Sequence, residues 1–157
     1  MEQIKKILAP TDFSELSCIG VRRALEIARK VNAAVIVYHV IGVRDDWFAG
    51  PRDFSPARDL LEGEKQLLDK FLRTRFSEYM NLIEIRQMVE IGVPYANIVE
   101  LAEREGVDLI VMSTHGKTGF SHMLLGSVTG KVVPRAPCPV LSIPAIERKK
   151  ISAQEAA

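Results

Sequence analysis

Residues 113–133, STHGKTGFSHMLLGSVTGKVV, hold the residue types that grip a ligand through backbone. They follow an apolar run, DLIVM (108–112), and set Gly116 and Gly126-Ser127 apart by nine residues (117–125). Glycine lets an anion approach backbone amides with no Cβ in the way, and it reaches positive φ at little cost. The unpaired amides at a helix N-terminus, aided by the helix dipole, attract negative charge. Gly126, Ser127 and Val128 would offer such amides at the start of a helix, and Ser127 adds a hydroxyl donor. Gly116 would offer one from the opposite wall, with His115 and Lys117 close enough to reach a phosphate tail. The chemistry expected is phosphate binding. The competing reading is a plain strand-to-helix connection that uses glycine for its turns.

Two phosphate motifs are excluded by spacing. A P-loop needs G-x-x-x-x-G-K-[ST]. Gly126 to Gly130-Lys131 has one residue too few between the glycines, and Val132 follows the lysine. Gly116-Lys117-Thr118 has the right ending, but Val111 stands where the first glycine belongs. The dinucleotide fingerprint G-x-G-x-x-G should follow the first strand, and APTDFS holds no glycine.

The elements that must position this loop can be read from periodicity. Strands are expected at 4–9, 33–41, 82–90, 108–112 and 139–143. Residues 33–41, AAVIVYHVI, are continuously apolar and β-branched, as in a strand buried on both faces. Helices are expected at 15–31, 57–79, from Pro94 to about Glu105, and from Gly126-Ser127 to just before Pro137. Ser14 or Asp12 can cap the first helix, and Asn32 and Gly106 mark helix stops. The segment 42–56 between strand two and helix two is irregular, and a loop of that length is usually a lid, a binding loop or disordered. Strict alternation implies an α/β fold, a doubly wound five-stranded parallel sheet with right-handed crossovers. With strand order 3-2-1-4-5 the order reverses between strands one and four, and ligands bind beyond the carboxyl ends at such a point. The loops there are Pro10-Thr11-Asp12 and 113–127.

Bulk properties narrow the class. A chain of 157 residues is the size of one domain. A net charge of +1 excludes a nucleic-acid or anionic-membrane partner held by bulk charge. Cys18 and Cys138 are the only cysteines and form no C-x-x-C pair, which disfavours a disulfide framework or zinc site and suits a reducing cytoplasm. The opening MEQIKKILAPTD is too polar for a signal peptide, and no apolar run reaches the length of a membrane span.

Over residues 3–144 the chain resembles the single-domain universal stress proteins. The resemblance rests on ILAPTDFSE, VDLIVMSTHG, LLGSVTGKVV and APCPVLSIP. Nucleotide-binding members of that family carry G-x-x-G, nine residues, then G-[ST]. Gly116 and Gly126-Ser127 match, while Ser113 stands where the first glycine would be and adds a Cβ. The resemblance implies a fold of the adenine-nucleotide α-hydrolase type over 1–144, and ATP or AMP as ligand; residues 145–157, with no core-forming pattern, are expected to be a flexible tail. Asp12 would bond the ribose hydroxyls, Pro10 and Thr11 would line the same wall, and the backbone at Val40 would meet the adenine. Met112 would pack near base or sugar. Ser113, Gly116, Gly126, Ser127 and Val128 would hold phosphates. Asp12 also fits the competing role of helix cap. With no carboxylate cluster in the sequence, Mg²⁺ or Mn²⁺ would ride on the phosphates rather than in a protein cage. The family further implies a stress-response regulator, a homodimer paired through the last strand (Pro139–Ile143), and a protein partner that the residues do not identify. Two alternatives use the same scaffold: a slow ATPase, and a nucleotide-free chaperone-like dimer.

The remaining candidates read as structural. His39 lies in an apolar strand, at a core or site-rim position, and no G-x-S-x-G elbow accompanies it. His122 is expected on the loop surface, and Trp47-Phe48 as a cap on the pocket, a partner contact or neither.

Overall fold

The structure is a computed structural model and describes residues 3–43, 55–115 and 125–144. Its elements are β1 (Lys6–Pro10), α1 (Glu15–Val31), β2 (Ala34–Gly42), α2 (Ser55–Arg75), β3 (Ile85–Gly92), α3 (Pro94–Arg104), β4 (Leu109–Ser113), α4 (Ser127–Val132) and β5 (Val140–Ile143). All four strand pairings are parallel, as the alternation predicts, and the sheet order is β3-β2-β1-β4-β5, the order expected above.

The strands carry two apolar faces, so the sheet is covered twice. Ile7, Ala9, Val35, Val37 and Val111 pack with Leu25 of α1, Leu68 and Leu72 of α2, and Phe76 just beyond α2. Leu8, Ile36, Tyr38, Ile110 and Met112 pack on the other face with Ile98, Leu101 and Val132 of α3 and α4. Helix α1 starts where Ser14 accepts the Ser17 amide at 3.1 Å, and it ends at Asn32 in the left-handed region, φ 57°. Its Gly20 lets α1 lie directly behind the end of β4. A Cβ there would stand 2.8 Å from the Ser113 nitrogen and 3.1 Å from Met112 Cα.

Three boundaries differ from the periodicity by three residues or more. Helix α2 ends at Arg75, not at 79: Phe76 leaves the helical region (φ −140°), and a 3₁₀ turn, Ser77–Tyr79, follows. Strand β3 begins at Ile85 because the Leu82 and Ile83 amides both donate to the Tyr79 carbonyl and are unavailable to a ladder. Helix α4 stops at Val132, well before Pro137. Pro134 lacks the amide that would extend it, and the chain closes with the Arg135 and Ala136 amides on the Val132 carbonyl.

A polar network spans β2, β3 and α3. The Tyr38 hydroxyl donates to Glu90 Oε2 at 2.6 Å, and Arg104 pairs with Glu90 Oε1. Burial alone would raise the Glu90 carboxyl, but hydrogen bonds from Tyr38 and Arg104 outweigh it and hold the group below the usual carboxylate range. A depressed folded value means stability that is present above about pH 4.5 and lost as pH falls through the folded value. Glu90→Gln is therefore expected to flatten the acid limb of stability between about pH 5 and 3. Urea denaturation across that range checks it, and an unchanged slope would count against the network.

Candidate functional site

At the carboxyl edge of the sheet, the ends of β1, β2, β4 and β5 open on the same side. Pro10 pairs with Tyr38 and Leu8 with Ile110, so continuing the register sets Pro10 level with Met112. The sequence-predicted loops, 10–12 and the chain after Met112, thus flank the point where the strand order reverses.

The β1–α1 loop is held by its own hydrogen bonds. The Thr11 amide donates to the Tyr38 carbonyl at 2.8 Å. Ser17 Oγ spends its proton on the Ser14 carbonyl (2.9 Å), so the Thr11 hydroxyl donates to Ser17 Oγ at 2.8 Å. Thr11 Oγ1 in turn accepts the Phe13 amide at 3.1 Å. Asp12 Oδ1 accepts the Ser14 amide at 3.0 Å, an Asx turn just before the helix. Of the two caps expected, Ser14 is the N-cap of α1, which leaves Asp12 two residues before it, half-buried at the sheet edge. Phe13 sits at φ 65°. A bulky residue there is strained, and such strain persists where the surroundings impose it, often beside functional sites.

The opposite wall comes from β4 and α4. Ser113 and Thr114 are buried at 9% and 7% exposure. The Ser113 hydroxyl donates to the His115 carbonyl at 2.8 Å, so its side chain is turned back along its own strand end. Thr129 Oγ1 donates to the Ser113 carbonyl at 2.8 Å, and the Gly126 amide donates to the Thr114 carbonyl. These two bonds fasten α4 to the end of β4. Gly126 therefore answers a need other than the one expected of it. Its amide is engaged by protein, and its missing Cβ makes room for the Thr114 carbonyl, which would lie 2.6 Å from a side chain. Its φ of −65° needs no glycine. Ser127, exposed, and Val128, half-buried, follow in the first turn, where a helix has no partner of its own for its amides. Gly126→Ala drives a methyl into backbone and is expected to destabilise the fold by about 1–3 kcal/mol. Chemical denaturation checks this, and a wild-type midpoint would show that the α4 anchor yields freely.

Val40 is half-buried on β2 and packs against the cluster on the α3/α4 face of the sheet that includes Met112 and Tyr38. Pro10, Thr11, Asp12, Val40, Met112, Ser113, Gly126, Ser127 and Val128 thus all lie on the carboxyl edge or on the helix fastened to it. Gly116, Lys117, His122, Trp47-Phe48 and the 145–157 tail lie outside the described residues. Among the described residues there is no group of three or more His, Cys, Asp and Glu side chains placed for a metal ion. Nor is any described helix long and apolar enough to cross a membrane.

Periodicity missed the support behind Thr11. His39, 8% exposed, turns its Nδ1 to the Thr11 carbonyl at 2.8 Å and its Nε2 to Glu64 Oε2 of α2 at 3.3 Å. Phe13 stacks on its ring with centroids 4.3 Å apart, and Phe71 of α2 meets Phe13 edge-on at 5.5 Å. A histidine inside an otherwise apolar strand was the one available signal. Its partners come from elements that spacing alone does not bring together.

Comparison with known proteins agrees with this fold. The Universal stress protein family profile matches residues 3–144. Two universal stress proteins of Methanocaldococcus jannaschii are similar along most of their length. MJ0531 is 37% identical over 149 residues, 88% of this chain and 81% of its own. MJ0577 is 34% identical over 152 residues, 88% of this chain and 94% of its own. A solved structure of MJ0577 superposes with a TM-score of 0.74 at 32% identity, covering 91% of this chain and 97% of the other. A universal stress protein solved in complex with cAMP superposes with a TM-score of 0.69 at 26% identity, covering 90% and 98%. The chain belongs to the universal stress protein family.

Proposed function

We propose that this chain binds an adenine nucleotide, ATP or AMP, beyond the ends of β1 and β4, and acts as a nucleotide-responsive regulator in a cytoplasmic stress response. The observation that carries the reading is the Asp12 loop, fixed at the point where the strand order reverses and facing the β4–α4 wall. A carboxylate just past a strand end can accept two vicinal hydroxyls, which is what a ribose presents. Across from it, the first-turn amides of Ser127 and Val128 and the Ser127 hydroxyl suit a phosphate. Val40 and Met112 offer the apolar contact a base requires. That a relative on the same fold was solved with cAMP supports an adenine nucleotide as the ligand class. Mg²⁺ or Mn²⁺ would be carried on the phosphates.

The assembly proposed is a homodimer through Pro139–Ile143. Strand β5 forms one edge of the sheet, and Leu141 on it is 38% exposed. An apolar edge strand invites pairing unless it is covered. Sedimentation at micromolar protein should give twice the 17.5 kDa chain mass, and a monomer would refute the dimer. For the ligand, isothermal titration with ATP and with AMP should release or absorb measurable heat, and silence from both would overturn the nucleotide reading.

A further inference from the structure

We propose that His39 is a positioning residue of the nucleotide site, an inference that rests on the reading above. It holds the Thr11 carbonyl, and with it the loop that presents Asp12. A carbonyl only accepts, so the hydrogen between Thr11 and the ring belongs to Nδ1, and the imidazole donates at 2.8 Å. The contact joins residues 28 apart in sequence and is buried, which shields it from competing water. Glu64 faces the ring's other nitrogen at 3.3 Å, and Phe13 covers its plane at 4.3 Å.

The same ring props Phe13 in its left-handed conformation, φ 65°. Phe13 is the residue directly after Asp12, so a change in its φ would swing the carboxylate away from the cleft. Phe71 closes the other side of Phe13 at 5.5 Å. Asp12 is thereby bracketed, with Thr11 pinned on one side by Nδ1 and Phe13 pinned on the other by the ring. The Asx bond to the Ser14 amide sets the carboxylate only relative to the loop. His39 sets the loop relative to the sheet.

Two substitutions separate the two ring nitrogens. In His39→Asn the amide nitrogen falls near the place of Nδ1 and keeps a donor for Thr11. In His39→Gln it falls near Nε2, toward Glu64, and leaves the Thr11 carbonyl unpaired. Both lose the ring against Phe13, so both should lose thermal stability to a similar degree. Titration with ATP should find His39→Asn within about threefold of wild type and His39→Gln weaker by about tenfold, the worth of one buried hydrogen bond. A merely structural histidine would weaken both variants alike, in step with their stability, and that outcome would overturn the proposal. Hydrogen exchange in the ligand-free protein supplies a readout without nucleotide. The Phe13 and Ser14 amides should exchange faster in His39→Gln than in His39→Asn, and equal rates would again overturn it. Should wild type bind no nucleotide, the reading of the site fails, and the exchange rates alone decide whether His39 positions the loop.

Discussion

Phe76→Ala should cost about 3–5 kcal/mol of unfolding free energy, the usual range for truncating a fully buried phenylalanine. Phe76 is 0% exposed. It meets Phe71 edge-on at 5.5 Å, and the Arg22 guanidinium stands 5.2 Å from its ring centroid. Alanine keeps the backbone bond from residue 76 to the Leu72 carbonyl, so the loss falls on packing alone. The cavity would open at the join of α2 with the 3₁₀ turn and strip the support from under Arg22. Against a total stability of roughly 5–15 kcal/mol the loss is large, and the melting temperature should fall by roughly 10 °C. Thermal and urea denaturation measure it. A loss under about 1 kcal/mol would mean that the core refills the space. The consequence extends toward the site, because Phe71, left without one neighbour, is the ring that braces Phe13.

Asp12→Asn should weaken nucleotide binding by roughly 10- to 150-fold, the equivalent of about 1.5–3 kcal/mol for hydrogen bonds to a charged group. Asparagine retains an oxygen for the Ser14 amide, so the Asx turn survives and the substitution removes only charge and one acceptor. The ribose contact can be isolated from the opposite side. A 2′,3′-dideoxy nucleotide should bind wild type about as weakly as ATP binds Asp12→Asn. The variant itself should scarcely distinguish the two ligands, because a broken pair has nothing further to lose. Equal affinity of wild type and variant for ATP would remove Asp12 from the site.

The fold was largely legible because its strands are uninterrupted apolar runs and its helices carry clear stops. The run AAVIVYHVI can only be buried on both faces, and Asn32 and Gly106 end their helices with left-handed backbone as their types allow. The boundaries that escaped are set by bonds outside the local pattern. Nothing in LIEIRQMVE announces that the Tyr79 carbonyl takes its first amides. Pro134 is a plain stop, but reading α4 through to Pro137 passes over it. At the site, Asp12 and Ser14 could each be expected to cap α1. The structure gives the cap to Ser14 and the Asx turn to Asp12, and both roles use short polar side chains that sequence does not separate. Gly126 was legible as a required glycine, but its reason was not. The close neighbour is the Thr114 carbonyl, twelve residues back along the chain. His39 was legible as buried, whereas Glu64 reaches it from α2, a separate element packed on the sheet face.

Amide chemical-shift mapping with ATP tests the central claim most directly, since it reports location as well as binding. At saturation the largest changes should fall on Thr11, Asp12, Val40, Ser113, Thr114, Ser127 and Val128. Gln87 on the outer strand and Glu100 on the exposed side of α3 should stay unmoved. No shift at millimolar ATP, or shifts confined to residues away from the carboxyl ends of β1 and β4, would contradict a nucleotide held at the point where the strand order reverses.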